Sequence, residues 1–589
     1  MAKRDAVMRK PKDTRGALRR LLRYLGPWKY VIAGVIILSF VSNLLNLWGP
    51  NLAGNAIREA AAGAGKVNFD AVWHNARLML LCYVGSALLG FGISLIMTVV
   101  SKRMARQMRQ DVFDKLMRLP VGYFDRHQAG DIISRVSYDI DVISTSMATD
   151  IVQILSSVIT VVGSLVMMAT ISLPLSVLTL VTVPVAIGYT VYMRKKTQPR
   201  YARRSQSYGV MNGFVEEMLS GQKTILAYAY ENRVDDRFDG INTEAAEAFS
   251  DAEHYGVTIG PTMTAINNLG LSLIGLLGGV LYMNGRIDLG RISSFVLYSR
   301  KFAGPINAIA EVFNELFSAL AAAERVFTLL DEQEEIADAP QARLLANVRG
   351  DVSVEHVAFG YDPVKTILHD LNLQAPAGKL IAIVGPTGAG KTTIINLLMR
   401  FYDPDSGVIR VDGQEIRTAV RASVRGAYAM VLQDTWVFHG TIFDNIAYGR
   451  ENATMEEVVA AAKAARIHPF IMRLPQGYNT VISEDGGNIS KGQKQLLTIA
   501  RAMLYDAPML ILDEATSNVD TATEREIQKA MRELMKDKTC FVIAHRLSTI
   551  EHADQILVLR EGDVVEQGTH RQLMDQKGFY HQLYAAQFE

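Results

Sequence analysis

The sequence predicts an α-helical membrane domain with six transmembrane helices, followed by an α/β domain that binds phosphate groups. Three observations favour this fold class. The first half of the 589-residue chain contains six long apolar stretches, and the second half contains a glycine-rich loop between an apolar strand and a helix. The mean hydropathy of the chain is +0.12, which is high for a wholly soluble protein. A chain of this length is also expected to hold more than one domain.

The apolar stretches set the domain organisation, because a helix needs about 20 mostly apolar residues to span the hydrocarbon core. Six stretches reach this length: 30–53, 77–100, 151–171, 173–193, 257–283 and 292–310. The first is too long for a secretory signal and lacks a cleavage pattern, so we expect it to be retained as a membrane helix. We therefore expect a basic N-terminal segment over 1–27, a membrane domain over 28–330, a linker over 331–349 and a soluble domain over 350–589.

The distribution of Lys and Arg predicts the orientation, because these residues collect on the cytoplasmic side of a membrane. The N-terminus and the segments 102–118 and 194–204 are basic, whereas the opposite loops 54–75 and 284–290 are not. The pattern predicts a multi-pass protein of the cytoplasmic (inner) membrane, with its N-terminus and soluble domain in the cytoplasm. The long excursions 101–150 and 194–256 are expected to be helices that project beyond the bilayer, turning at 120–130 and 205–213. Ordinary cytoplasmic loops are the alternative.

Polar side chains within the apolar stretches are costly in lipid and therefore informative. They are Asn43 and Asn46 in the first stretch, Asn267 and Asn268 in the fifth, and Asn307, Glu311, Asn314 and Ser318 on one face of the sixth helix. One interpretation is that they line a water-filled translocation cavity. The other is that they form hydrogen bonds between helices or lie at a helix end outside the bilayer.

Composition excludes two classes of protein. The formal net charge is only +1, which argues against a nucleic-acid partner, because such proteins carry a basic excess. The two cysteines, Cys82 and Cys540, lie in a predicted membrane helix and a predicted buried strand. A disulfide framework is therefore not expected.

The second half carries a complete phosphate-binding loop of the P-loop NTPase class. A predicted strand over 380–384 leads into the motif, and a helix is expected over 393–400, starting at Thr393. Its glycines allow backbone N–H groups to approach phosphates, and we expect Lys391 to reach the β- and γ-phosphates of ATP and the Thr392 hydroxyl to bind Mg²⁺. The motif consists of Gly385, Pro386, Thr387, Gly388, Ala389, Gly390, Lys391 and Thr392.

Two further patterns extend this chemistry. A predicted strand over 509–512 ends in Asp513 and Glu514, where the first carboxylate can hold Mg²⁺ and the second can act as the general base that polarises the attacking water. Ser490 begins a predicted helix after a turn of small residues. The N-terminus of this helix is a candidate anion site, for a phosphate bound to a second copy of such a domain. The alternative is an ordinary helix cap with Ser490 as the N-cap residue.

These motifs, in this order, resemble the ATP-binding cassette family, and the arrangement of the whole chain is similar to exporter half-transporters with the type IV fold. The resemblance implies that Tyr361 stacks on adenine, that Gln433 contacts Mg²⁺ and that His545 contacts the γ-phosphate. It also implies a signature formed by Ser490, Gly492 and Gln493 that closes over ATP on the other cassette. Asp520 lies in a segment that resembles the loop connecting the two ATP sites. The regions 123–135 and 480–484 resemble the exporter segments that couple the cassette to the membrane domain.

The resemblance further implies a partner and a reaction. ATP and Mg²⁺ are the expected cofactors, and a second half-transporter and the lipid bilayer are the expected partners. A heterodimer is favoured over a homodimer, because the segment 513–521 resembles the catalytically intact half of bacterial heterodimeric exporters. Lys491 replaces the usual central glycine of the signature. The transported substrate, whether small molecule, lipid or peptide, stays open. The alternatives are a siderophore or metal-chelate importer with the exporter fold, an ATP-gated regulatory membrane protein, and a soluble P-loop ATPase with a hydrophobic helical domain.

Overall fold

The structure, a computed structural model, describes residues 13–61, 63, 66–362, 364–432, 435–483, 488–513, 520–543 and 550–588, with the backbone alone at 306–311, 313, 314, 521, 587 and 588. The chain divides into two units. One unit contains the chain up to Met117 together with Ala129–Glu332, and the other contains Arg118–Gln128 together with the chain from Gln333 onward.

The first unit is helical. Its helices are α1 (Thr14–Leu25), α2 (Lys29–Ala60), α3 (Phe69–Leu116), α5 (Ala129–Ser134), α6 (Ile140–Ile171), α7 (Leu173–Ser220), α8 (Gln222–Ala227), α9 (Glu231–Met283) and α10 (Leu289–Leu330), and α4 (Val121–Arg126) belongs to the other unit. A turn of π-helix, Arg135–Asp139, joins α5 to α6. Since a helix rises 1.5 Å per residue, the 48 residues of α3 extend about 70 Å, far more than the roughly 30 Å of hydrocarbon. The predicted projecting helices are therefore confirmed.

Five helical segments among the described residues are long and apolar enough to cross a membrane: Thr14–Ala60, Phe69–Leu116, Ala129–Ile171, Leu173–Ser220 and Glu231–Met283. They contain the first five predicted spans. The sixth predicted span lies within α10, a continuous helix of 42 residues that carries two adjacent cations, Arg300 and Lys301. The prediction of six spans is not contradicted.

The second cytoplasmic turn is not where we expected it. The chain stays helical through 205–213 and turns only after α7 ends at Ser220, so that prediction is wrong. Just before the expected turn, Arg200 and Arg204 of α7 pair with acidic residues of α9, at 3.2 and 2.6 Å. Within and after it, the rings of Tyr208 and Phe214 contact those of Phe249 and Phe238 of α9. The two helices therefore form a long antiparallel pair. Isolated glycines inside a helix cost only about 1 kcal/mol each, which such packing readily offsets.

Two of the polar residues predicted in the membrane helices connect neighbouring helices. The Asn43 amide donates to the carbonyl of Ser39, and its oxygen accepts from the hydroxyls of Ser156 (2.9 Å) and Thr160 (3.0 Å) of α6. Asn46 accepts hydrogen bonds from Lys301 of α10 through both its side-chain oxygen and its carbonyl. For these two asparagines the interhelical interpretation is correct. The side chains of Asn307, Glu311 and Asn314 lie outside the described residues.

The second unit is built around a six-stranded sheet with the order β12-β11-β3-β10-β9-β6. Strands β11, β3, β10, β9 and β6 run parallel, and β12 is antiparallel to β11. A four-stranded antiparallel sheet, β2-β1-β4-β5, and the pair β7-β8 complete it. The strands are β1 (Val352–Phe359), β2 (Leu368–Ala375), β3 (Leu380–Val384), β4 (Ser406–Val411), β5 (Gln414–Glu415), β6 (Tyr428–Val431), β7 (Gly440–Thr441), β8 (Val481–Ile482), β9 (Met509–Asp513), β10 (Thr539–Ile543), β11 (Gln555–Arg560) and β12 (Asp563–Gly568).

Helices cover the sheets of this unit. They are α11 (Lys391–Leu398), α12 (Arg421–Gly426), α13 (Ile442–Ala447), α14 (Met455–Ala464), α15 (His468–Ile471), α16 (Lys491–Tyr505), α17 (Thr521–Met535), α18 (His570–Gln576) and α19 (Phe579–Phe588). The central strands β3, β9 and β10 are almost continuously apolar and buried, as expected for parallel strands covered on both faces. Cys540 lies inside β10, where burial raises the pKa of its thiol to about 12, and both cysteines are free thiols.

Candidate nucleotide-binding site

The phosphate-binding loop lies between β3 and α11, in the context that the motif requires. β3 ends at Val384 as predicted, and α11 begins at Lys391, two residues earlier than predicted. Gly390, the N-cap residue of α11, has a φ of +101°, a left-handed conformation that favours glycine. A Cβ on Gly385 would collide with the carbonyl oxygen of Leu559. The loop backbone can therefore take this path only with glycine at these two positions.

The helix that follows the loop is open to an anion at its N-terminus. No side chain caps α11, so its first N–H groups are available to phosphate oxygens, and the helix dipole favours negative charge there. Lys391 donates from Nζ to the carbonyl oxygens of Gly385 (2.8 Å) and Pro386 (2.9 Å). Thr392 is exposed beside it, and Thr393 is buried. The remaining loop residues, Thr387, Gly388 and Ala389, complete the turn.

Sheet register brings Asp513, the described member of the second set of predicted residues, to the same edge as the phosphate loop. Ile543 of β10 lies directly opposite Ile383 of β3 on one side and Asp513 of β9 on the other. Because these strands are parallel, the carboxyl ends of β3, β9 and β10 lie at one edge of the sheet. In the sequence, these ends are followed by the phosphate loop, Glu514 and His545, respectively. Burial lowers the pKa of Lys391, and the nearby negative charge of Asp513 opposes that shift. The carboxylate at the end of β9 therefore acts electrostatically on the phosphate-loop lysine.

The aromatic residue predicted to contact adenine belongs to a cluster of three rings. Tyr361 lies with its ring centre 5.0 Å from those of both Phe359 and Tyr402, nearly perpendicular to each. Its hydroxyl accepts a hydrogen bond from the Asn396 amide (2.9 Å) and donates to Thr393 (3.3 Å), both on α11. Tyr361 is thus held against the helix that starts at the phosphate loop.

The same cluster holds the segment Arg118–Gln128, which connects α3 to α5 and belongs to this unit. Tyr402 donates to the Asp125 carboxylate (2.5 Å), and Arg126 donates to the carbonyl oxygen of Tyr361 (3.2 Å). Burial and the Asp125 carboxylate raise the pKa of Tyr402, which keeps the phenol protonated as a donor. Asp125 lies in the predicted coupling region. Sequence reasoning missed Tyr402, because no motif marks it and its partner is 277 positions away.

The predicted signature begins a helix. Ser490 is the N-cap residue of α16, its hydroxyl accepts from the Gln493 N–H (3.3 Å), and the Gln493 side chain accepts from the Ser490 N–H (2.9 Å). Gly492 is buried and Lys491 is exposed. The arrangement is a capping box, so the alternative of a helix cap is correct as local structure. The Ser490 hydroxyl keeps its proton available to a further acceptor, so capping does not exclude a phosphate contact.

Asp520 is also an N-cap residue. Its carboxylate accepts from the Thr523 N–H at 2.9 Å, and this hydrogen bond lowers the pKa of Asp520. The remaining predicted site residues, Gln433, Glu514 and His545, lie outside the described residues. The ATP-site residues within the described part of the chain all lie in the second unit.

Comparison with known proteins extends to nearly the whole chain. Residues 32–306 match the family model described as ABC transporter transmembrane region, and residues 368–517 match the model described as ABC transporter. An uncharacterized ABC transporter ATP-binding protein of Bacillus subtilis is 42% identical over 580 residues, covering 98% of this chain and 96% of that protein. A fatty acid ABC transporter ATP-binding/permease protein of Mycobacterium tuberculosis is 44% identical over 517 residues, covering 88% and 82% of the two chains.

A solved structure shares the fold along the same length. It is a bacterial Atm1-family ABC exporter with ATP bound, 30% identical, with a TM-score of 0.75 over 96% of this chain and 99% of that one. Half-transporters of this fold dimerise in a lipid bilayer. The chain therefore belongs to the ABC transporter family, as an exporter-type half-transporter whose nucleotide-binding cassette hydrolyses ATP to drive transport across a membrane.

Proposed function

We propose that this chain exports an amphiphilic, lipid-like substrate from the cytoplasm, and that its ATP site works with Glu514 as the general base. The observation that supports the catalytic assignment is the register of β3, β10 and β9, whose carboxyl ends lie at one edge of the sheet. The phosphate loop, His545 and Glu514 follow these ends in the sequence. A carboxylate placed there can polarise the water that attacks the γ-phosphate, and His545 can contact that phosphate.

Mg²⁺ fits the donor set at this edge. The Thr392 hydroxyl lies at the start of α11, and the Asp513 carboxylate ends β9, which β10 separates from β3. Gln433 would add an amide oxygen, and all three are hard oxygen ligands of the kind Mg²⁺ prefers. Mg²⁺, when bound, neutralises the charge that develops on the phosphates. Lys391 contributes a second positive charge, and Tyr361 provides the ring against which adenine stacks.

Two half-transporters are needed to complete each ATP site. Ser490, Gly492 and Gln493 begin a helix whose exposed N-terminus suits a phosphate on the partner's cassette. Closure of the two cassettes over ATP then opens the membrane cavity to the outside, and hydrolysis lets the cavity open to the cytoplasm again. Lys491 in the signature and the intact Asp513–Glu514 pair favour a heterodimer, with this chain as its catalytically intact half.

The cytoplasmic membrane is the proposed location, with the N-terminus and the cassette over 350–589 in the cytoplasm. Its support is the basic character of the N-terminus and of the segments 102–118 and 194–204. The mycobacterial relative is named for fatty acids, which supports an acyl-chain substrate for this chain as well.

The test compares ATP binding with ATP turnover in Glu514→Gln. We expect the variant to bind ATP like the wild type while its Mg-ATP hydrolysis falls about a hundredfold or more, since general-base catalysis contributes roughly that factor. The matched control is Glu451→Gln, an exposed glutamate of the same unit before α14, which should retain wild-type turnover. Normal turnover in Glu514→Gln would refute the assignment of Glu514 as the base.

The state of the dimer is tested with the same preparations. The chain expressed alone should be assayed for its mass in lipid nanodiscs and for hydrolysis. Slow hydrolysis by the folded chain alone, restored by a second half-transporter, is the result expected for a heterodimer. Rapid Glu514-dependent hydrolysis by a homodimer would contradict the heterodimer proposal without affecting the base assignment.

A further inference from the structure

A cavity of about 310 Å³ lies within the membrane unit, between α7, α9 and α10. Its volume is at the lower end of the range usual for small-molecule sites, about 300 to 1,000 Å³. One part of its wall is apolar, with Val183, Leu271, Ile274 and Phe302. The other part is polar, with Thr182, Thr264, Asn267, Asn268, Ser299 and Arg300. The two predicted asparagines of the fifth span therefore line a cavity, in contrast to Asn43 and Asn46.

The polar part of the wall contains a full positive charge. The Arg300 side chain is exposed and lines the cavity, and its guanidinium group forms no hydrogen bond or ion pair with any described residue. An arginine in the middle of a membrane helix is costly, and such residues normally pair with another group. The described part of the protein does not supply the partner of this guanidinium group.

The neighbouring cation, Lys301, has a structural role in this unit. Pro50 of α2 lacks an N–H, so it leaves the carbonyl of Asn46 without its usual helical donor. Lys301 fills that place with a hydrogen bond of 2.8 Å, and its ammonium group lies 5.5 Å from the centre of the Tyr83 ring. Successive helical residues point about 100° apart, so Arg300 faces α7 and α9 instead. The structural role of Lys301 does not extend to Arg300.

We infer that this cavity binds an acidic amphiphile, whose carboxylate or similar anionic head group pairs with Arg300 and whose apolar tail lies along α7 and α9. The inference rests on the proposed function, since it names the substrate class of that transport. A guanidinium group presents a fork of N–H donors that matches a carboxylate. Asn267 and Asn268 add neutral donors and acceptors near the head group, and the apolar wall removes the tail from water.

The experiment measures binding to the full-length chain in phosphatidylcholine nanodiscs without ATP. The probe is a long-chain carboxylic acid with a fluorescent tail, and the comparison ligand is the primary alcohol with the same tail. The wild type should prefer the acid about tenfold, and Arg300→Gln should lose this preference while binding the alcohol like the wild type. Retained alcohol binding shows that the variant is folded.

Two controls and one further ligand complete the design. Arg300→Lys keeps the charge and should keep most of the preference. Arg286→Gln removes an exposed arginine from the turn between α9 and α10, outside the cavity, and should bind like the wild type. Acetate, which has the head group but no tail, should not compete at concentrations at which the long-chain acid saturates the site.

Four results would overturn the inference. They are the absence of any acid preference in the wild type, a preference that survives in Arg300→Gln, one that is lost equally in Arg286→Gln, and competition by acetate as strong as that by the long-chain acid. Because binding is measured without ATP, none of these results bears on Glu514. Conversely, a failure of the Glu514 test leaves the binding result intact.

Discussion

Single residues in the membrane unit show how this fold handles buried charge. Asp139 has only 4% of its side chain exposed, and Arg325 of α10 pairs with it through two hydrogen bonds of 2.9 and 2.5 Å. Only two positions further along, Asp141 is 65% exposed and pairs with Arg109. Asp139 therefore belongs to a buried ion pair and Asp141 to an exposed one, although the two residues are close in the sequence.

We expect Arg325→Met to lower the stability of the membrane unit by about 3 to 5 kcal/mol, because it leaves the Asp139 carboxylate buried without its partner. The measurement is the unfolding midpoint of the purified chain in detergent. Arg109→Met is the control, and its effect should be at most about 1 kcal/mol, since exposed pairs contribute little. Equal shifts for the two variants would contradict the assignment of Asp139 as a buried, paired charge.

At the scale of elements, α4 is a short helix that belongs to the nucleotide-binding unit although both of its neighbours in the chain belong to the membrane unit. It is held by Tyr402 through Asp125 and, through Arg126, by the carbonyl of the proposed adenine-binding tyrosine. A Cβ on Gly122 would approach the Tyr402 hydroxyl to 2.9 Å, which shows how closely α4 lies on this ring. α4 therefore lies directly against the aromatic cluster of Phe359, Tyr361 and Tyr402.

Tyr402→Phe should loosen α4, because it removes the hydrogen bond to Asp125 and keeps the ring. We expect amide hydrogen exchange of 121–126 to rise about tenfold, the effect of losing a hydrogen bond to a charged group. The control is Tyr505→Phe, which removes a similar hydrogen bond, 3.0 Å long, to the Gly426 carbonyl in the same unit. Unchanged exchange in Tyr402→Phe would mean that other contacts hold α4.

The elements also show what could be predicted from the sequence. β3, the phosphate loop and the start of α11 were predictable, because the motif and its flanking pattern are local. The second cytoplasmic turn was not, since ring contacts of Tyr208 and Phe214 with α9 hold α7 helical past the expected position. Tyr402 and the pairing of Lys301 with Asn46 were also out of reach, because each depends on contacts between residues more than 250 positions apart.

At the scale of the whole molecule, two units of different composition share one chain, and their functions were predictable to different degrees. ATP hydrolysis could be predicted, because its motifs are local in the sequence and the family that the chain belongs to shares this activity. No sequence motif identifies the substrate. The information about it comes from the cavity beside α10, where the Arg300 side chain lies in a wall that is partly polar and partly apolar. ATP-driven outward transport is the central claim. Its direction distinguishes an exporter from an importer, and its coupling to hydrolysis distinguishes it from an ATP-gated regulatory protein.

The most direct test is ATP-driven movement of the fluorescent long-chain acid in proteoliposomes, with ATP supplied only outside and hydrolysis measured in the same sample. The chain is assayed with its partner half if it needs one. We expect the acid to accumulate in the lumen in proportion to ATP hydrolysed, and both activities to be lost in Glu514→Gln. ATP-dependent loss of the acid from the lumen, or accumulation that persists in Glu514→Gln, would contradict ATP-driven export.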